Sequence, residues 1–173
     1  MGSSLYSNTL PQHFPGVNLF SPLFLTPSRV ARETENPMIT LNQHQDVEQL
    51  LRQAKTIAIV GLSPKENRPS NMVGRYLLAA GYTVYPVNPG HTEILGQPCY
   101  PNLSAIPYKI DIVDLFRRSE EVLPFVEEAV RIGSKAVWMQ LGIVNQQAAQ
   151  YARDNGLTVI MDRCIKVDHS NLM

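Results

Sequence analysis

The chain has 173 residues, and fifteen Lys and Arg balance fifteen Asp and Glu. A formal charge of zero argues against a general nucleic-acid binder, which carries a marked basic excess, but leaves room for a local basic pocket. Hydrophobic residues at 44% and charged residues at 17% describe a globular chain, and no apolar run approaches the roughly 20 residues that span a bilayer. Cys99 and Cys164 are too few for a disulfide framework or a metal cluster, which points to a reducing cytoplasm.

Residues 1–38 differ in kind from the rest. They hold prolines 11, 15, 22, 27 and 37, and no acidic residue precedes Glu33. No helix or strand period survives between the prolines, which predicts a disordered extension outside the folded domain. The lack of Lys or Arg before Arg29 argues against a secretory signal, and the few arginines argue against an organelle transit peptide. The first six residues miss the myristoylation pattern. Met38 precedes the patterned region, residues 39–173, and is a candidate translation start.

From there helix and strand alternate. Thr40-x-x-Gln43 is a capping box that opens an amphipathic helix carrying Val47, Leu50 and Leu51 on one side. Thr56 to Val60 is a strand apolar on both faces, ending at Gly61. Ser70 is placed to cap a helix that runs to Ala80 and stops at Gly81. Tyr82 to Val87 is a second strand, ended by Asn88-Pro89-Gly90, and Gln97 to Tyr100 a short edge strand. Asp111 to Leu115 is a fourth, followed by a helix within Glu120–Ile132. Ala136 to Leu141 is a fifth; Asn145 caps the next helix, which ends at Gly156; Leu157 to Met161 is the last strand.

Such alternation predicts an α/β fold: a Rossmann-like, doubly wound, mainly parallel sheet with helices on both faces and strand order 3-2-1-4-5-6. Ligands of such sheets bind beyond the carboxyl ends of the strands, at the switch between strands one and four. The first loop there, Gly61 to Ser70, enters a helix N-terminus, which favours an anion. Gly61 permits a tight turn, Ser63 and Ser70 offer hydroxyls, and Arg68 can fork onto phosphate oxygens. A dinucleotide fingerprint wants G-x-G-x-x-G, whereas only Gly61 stands before Gly74. The second strand ends Pro86-Val87-Asn88-Pro89, without the acidic residue that holds a ribose. Both departures weigh against NAD.

The fourth strand leads into Phe116-Arg117-Arg118-Ser119. Phe116 and Arg117 are read as ligand contacts, Arg118 as a solvated cation and Ser119 as a helix cap. After the fifth strand, Trp138 and Met139 read as core, and Gln140 as the first polar residue at the edge. Asp162 and Arg163 read as partners of each other or of neighbouring loops. No catalytic constellation is present: His13, His44, His91 and His169 lack a neighbouring nucleophile and read as surface or tail histidines. Asp111 and Asp114, three apart on one strand, face opposite sides and form no acid/base pair. The absence of a nucleophile or metal set favours a binding module over an enzyme.

Residues from about 40 to 168 resemble the small, single-domain CoA-binding proteins of the YccU-like type. The resemblance rests on Ile59-Val60-Gly61-Leu62-Ser63, Arg68-Pro69-Ser70, Tyr76-Leu77-Leu78 and Val87-Asn88-Pro89. It continues through Glu93-Ile94-Leu95-Gly96, Asp111 to Asp114, Phe116 to Glu120, Trp138 to Gly142 and Met161 to Cys164. It implies a domain related to the CoA-binding domain of the succinyl-CoA synthetase alpha subunit, with coenzyme A or an acyl-CoA as ligand. It carries over binding and not ligation, since the phosphohistidine domain of that relative has no room in this chain. On this basis Gly61, Leu62, Ser63, Arg68 and Ser70 are expected to hold a phosphate. Val87, Asn88 and Pro89 are expected to shape the pocket wall, Phe116 and Arg117 to lie near adenine or a phosphate, and Gln140 to contact the pantetheine arm. The alternative is an NAD(P)- or CoA-dependent enzyme using the same crevice. No nucleic-acid or membrane partner is expected; exposed helix faces permit a homo-oligomer, and no motif requires one.

Overall fold

The unbroken apolar run Thr56–Val60 forms a strand with a neighbour on each side, so both its faces are covered and both its edges paired. The computed structural model describes residues 43–173. The expected extension through residue 38, the start at Met38 and the capping box at Thr40 lie outside the described residues. In chain order the elements are α1 Gln43–Gln53, β1 Thr56–Val60, α2 Pro69–Ala79, β2 Thr83–Val87, β3 Glu93–Ile94 and β4 Gln97–Pro98. Then follow β5 Ile112–Leu115, α3 Leu123–Arg131, β6 Ala136–Met139, α4 Gln146–Asp154, β7 Thr158–Ile160 and α5 Ile165–Leu172.

The main sheet is five-stranded and parallel, in the order β2-β1-β5-β6-β7. This is the expected Rossmann-like arrangement with one change, at the position of the third strand. Gln97 and Pro98 pair with Glu93 and Ile94 in a small antiparallel hairpin instead. Beside β2 only Tyr100 remains, bridging Val87 through the Tyr100 N–H to the Pro86 carbonyl and the Asn88 N–H to the Tyr100 carbonyl, both at 2.9 Å. The physical reason is proline. Pro86 has no N–H to give an outer neighbour, and Pro98 and Pro101 interrupt the segment that would lie there.

Side chains alternate along each strand and divide the core into two layers. Ile57 and Ile59 of β1 pack with Trp138 against Val47 and Leu51 of α1, Val73 and Leu77 of α2, and Ile165 of α5. Ala58 and Val60 pack with Val113 and Val137 against Val126 and Ala129 of α3 and the alanines 148, 149 and 152 of α4. The helix α5 was not expected. Only Ile165 on it is buried, so its sequence carries almost no apolar period. It is held instead by polar groups: His169 Nδ1 meets Tyr76 Oη at 2.9 Å and packs edge-on against Tyr82. His169 is therefore not the free tail histidine that the sequence suggests, and burial lowers its pKa.

Two expected caps are used otherwise. Ser70 lies inside α2 rather than before it, and the residue at the cap position, Arg68, makes no side-chain cap bond. The Ser119 hydroxyl accepts from the Val144 N–H at 3.0 Å, tying two loops together, and α3 starts only at Leu123. Asn145 does cap α4, accepting from the Ala148 N–H at 2.9 Å.

Candidate functional site

Where β1 ends, the chain turns sharply at Gly61, whose φ is +83°. A side chain there would be strained twice over: by this backbone angle, and by the Phe116 carbonyl oxygen, which would lie 2.5 Å from a Cβ. The first loop and the loop after β5 thus meet backbone to backbone at the switch between β1 and β5. The Gly61 N–H donates to the Val87 carbonyl at 2.9 Å, which joins the end of β2 to the same corner.

A cleft of about 520 Å³ opens at this corner. Its size falls within the ~300–1,000 Å³ usual for small-molecule sites. Gly61, Ser63, Pro64, Lys65, Arg68, Pro69, Ser70, Asn88, His91 and Phe116 line it. Lys65, Arg68 and His91 bring cationic or protonatable groups, and none of the lining residues is acidic. Among the described residues none of these three side chains has an anionic partner. The helix α2 begins here without a side-chain cap, and the positive end of its dipole lies beside the cleft; Pro69 has no N–H and the Asn71 and Met72 N–H groups already donate to the Arg68 carbonyl, at 3.0 and 3.1 Å, so Ser70 carries the remaining first-turn N–H.

Asn88 builds the wall after β2. Its Nδ2 donates to the Leu62 carbonyl at 3.0 Å, and its Oδ1 accepts from the Gly90 N–H at 3.1 Å. An amide thus occupies the place where a dinucleotide fold keeps its ribose-binding acid. The Cys99 thiol donates to the Asn88 carbonyl at 3.4 Å, and burial raises its pKa.

Of the residues singled out from sequence, Gly61, Ser63, Arg68, Ser70, Asn88 and Phe116 come together around the cleft. Leu62 and Val87 instead turn into the two core layers, and Pro89 is exposed at the rim of the loop. The stem of Arg117 passes close to Gly61, but its guanidinium pairs with Glu121 at 3.3 Å and lies over the Phe125 ring. Arg118 pairs with Glu120 and Glu121 in solvent, as expected of a solvated cation.

Gln140 is buried and donates to both oxygens of Asp114, at 2.8 and 3.1 Å. That carboxyl has no solvent exposure, and desolvation pushes its pKa up to about 8 despite the bonds from Gln140 and the Leu115 N–H. Asp162 accepts from the Gly142 N–H at 2.7 Å and so serves a neighbouring loop, whereas Arg163 pairs with Asp168 on α5 at 2.7 Å. Trp138 is core, with its indole N–H donating to the Arg163 carbonyl at 2.7 Å.

The sequence places Lys65 near the cations of this edge without assigning it to the site, and gives His91 no place in it. Lys65 was visible as a cation in the right loop. His91 carried no signal, because only the turn through Asn88 and Gly90 brings its backbone back over the cleft, with the His91 N–H on the Asn88 carbonyl at 3.3 Å.

Fold and cleft together define a doubly wound α/β domain with a cation-lined cleft at its carboxyl edge. Residues 55–170 match the family described as a CoA binding domain, and the chain belongs to that family. It is 42% identical over 125 residues to the uncharacterized protein YneT of Bacillus subtilis, covering 72% of this chain and 93% of that one. It is 29% identical over 121 residues to the ADP-forming acetate–CoA ligase I of Archaeoglobus fulgidus, covering 64% of this chain but only 18% of the ligase. Among solved structures, a hypothetical protein from Pyrococcus horikoshii superposes with a TM-score of 0.73 at 43% identity, covering 75% of this chain and 91% of the other.

Proposed function

We propose that the chain binds coenzyme A, or an acyl-CoA, in the carboxyl-edge cleft and acts as a non-catalytic or regulatory module. The observation that carries this is the lining: Lys65, Arg68 and His91 beside the uncapped start of α2, with no carboxylate among them. Coenzyme A brings a pyrophosphate and a 3′-phosphate, and such a ligand is matched by unpaired cations and N–H donors. The turn at Gly61 and Ser63 would hold a phosphate together with Arg68 and Ser70. Lys65 would add charge and His91 a ring N–H donor, Asn88 would wall the pocket, and Phe116 would cover adenine or lie beside a phosphate. Arg117 and Gln140 already serve Glu121 and Asp114, and neither is needed for this reading.

Membership of the CoA-binding family supports the choice of ligand. The chain spans 18% of the acetate–CoA ligase it resembles, so that likeness concerns the shared segment alone. Among the described residues no helix is long and apolar enough to cross a membrane. We place the protein in the cytoplasm, where Cys99 and Cys164, both free, stay reduced.

A thermal-shift and titration-calorimetry panel with CoA, dephospho-CoA, NAD and NADP tests the reading. Coenzyme A is expected to raise the melting temperature. At 100 times its Kd a ligand that binds only the native state adds about 2.7 kcal/mol. Stabilisation by NAD and not by CoA overturns the reading. Native mass spectrometry of freshly purified protein is expected to show retained CoA or an acyl form.

A further inference from the structure

Ser63 is held at three points. Its N–H donates to Ser70 Oγ at 3.1 Å, its carbonyl accepts from Asn71 Nδ2 at 2.8 Å, and its own Oγ accepts from the Lys65 N–H at 3.2 Å. A hydroxyl has one hydrogen to give and two lone pairs to receive. On both Ser63 and Ser70 a backbone N–H takes one of the acceptor positions. Neither hydroxyl hydrogen goes to a protein partner among the described residues. Both are free to donate into the cleft that both residues line.

The third tether comes at a cost elsewhere. Asn71 is fully buried, and its Oδ1 has no hydrogen-bond partner. The Ser63 carbonyl can only accept, so the amide must turn its nitrogen that way and strand its oxygen at the other end. A buried carbonyl without a donor destabilises the fold. An apolar side chain of similar volume would avoid that loss. What Asn71 provides in return is one bond, to the residue at the centre of the anion loop.

We propose that Asn71 is a positioning residue for this site: it fixes Ser63 so that the Ser63 and Ser70 hydroxyls turn their hydrogens toward a ligand phosphate. The proposal rests on the cleft being a CoA site and names the device that orients its uncharged donors.

The test compares Asn71→Leu, Ser63→Ala and the double variant by calorimetric titration with CoA, with melting temperature and amide hydrogen exchange on the ligand-free chain. Each single change is expected to weaken CoA binding about 10- to 150-fold, the range of one hydrogen bond to a charged group. The double variant is expected to bind no worse than the weaker single, because Asn71 works through Ser63. The melting temperature of Asn71→Leu is expected at or above that of the unsubstituted chain, and exchange at the Ser63 and Lys65 amides to be faster. Unchanged affinity in Asn71→Leu, or single penalties that multiply in the double variant, overturns the proposal. Asn71→Ala takes the place of Asn71→Leu if the larger side chain prevents folding. An unsubstituted chain that does not bind CoA overturns the CoA reading instead. Loop exchange then decides the positioning role: faster exchange confined to Ser63 and Lys65 supports it, and unchanged exchange overturns it.

Discussion

The two ends of the sheet treat charge in opposite ways. At the amino end, Asp111 accepts from the Lys55 N–H at 2.8 Å and from the Thr56 N–H and hydroxyl at 3.2 Å, and pairs with Lys135 at 2.7 Å. These partners hold its pKa down to about 2 although burial alone would raise it. At the carboxyl end, Lys65, Arg68 and His91 face a cleft with no acid in it. Fifteen charges of each sign balance over the chain, yet Asp111 is fully partnered at one end while the cleft groups Lys65, Arg68 and His91 have no anionic partner at the other. A saturated network stabilises a fold, whereas an unsaturated one of a single sign waits for a ligand.

The contrast can be broken at four places. The largest effect is expected from Gly61→Ala, where backbone strain and the Phe116 carbonyl act together. The chain should lose about 4 kcal/mol by urea unfolding, and CoA binding should vanish in calorimetry. This would show that the carboxyl edge owes its stability to backbone packing rather than to its cations. Next comes Asp111→Ala, expected to cost about 3 kcal/mol because Lys135 and the donors at the start of β1 lose their acceptor, with CoA affinity unchanged. Arg68→Ala should do the reverse. Calorimetry is expected to show CoA binding weaker by about 1.5–3 kcal/mol, and the unfolding midpoint should stay within about 0.5 kcal/mol.

The fourth effect is read as a slope, the smallest of the four per pH unit. Asp114 is held protonated, its pKa raised to about 8 in the fold, so the folded state binds its proton more tightly than the unfolded state does. Its contribution is full below pH ~4 and is lost as pH rises through 8, at up to about 1.4 kcal/mol per pH unit. Asp111 runs the other way: its contribution is full above pH ~4 and is lost as pH falls through about 2. Urea midpoints across pH 4–9 should therefore fall less in Asp114→Asn than in the unsubstituted chain. An unchanged slope would mean that Asp114 is ionised in the fold.

Much of this architecture was legible in the sequence because fully buried parallel strands are written as unbroken apolar runs. Ile57 to Val60 and Ala136 to Met139 could hardly be anything else, Ile112 to Leu115 is interrupted only by Asp114, and their order fixed the edge at which to look for a site. The helix α5 was illegible because polar contacts, not an apolar stripe, hold it. The third strand was read too generously, since the alternation of its residues hid what three prolines do to a ladder. In the cleft, the residues next to strand ends were recoverable, Gly61 and Phe116 above all. Gln140 was not, because a polar residue at a strand end can turn inward when a buried carboxyl awaits it. His91 was not either, because its place depends on a turn closed by the Asn88 side chain.

The single bridge at Tyr100 has a consequence for how these molecules behave in a crowd. A parallel sheet with an open margin is a template on which another chain can add a strand. On the β2 side Pro86 offers no N–H and Tyr100 already occupies its carbonyl; on the other side β7 is only three residues long. Neither margin gives an incoming strand a ladder to climb. Among the described residues the main sheet thus exposes only the short edge of β7 to an incoming strand.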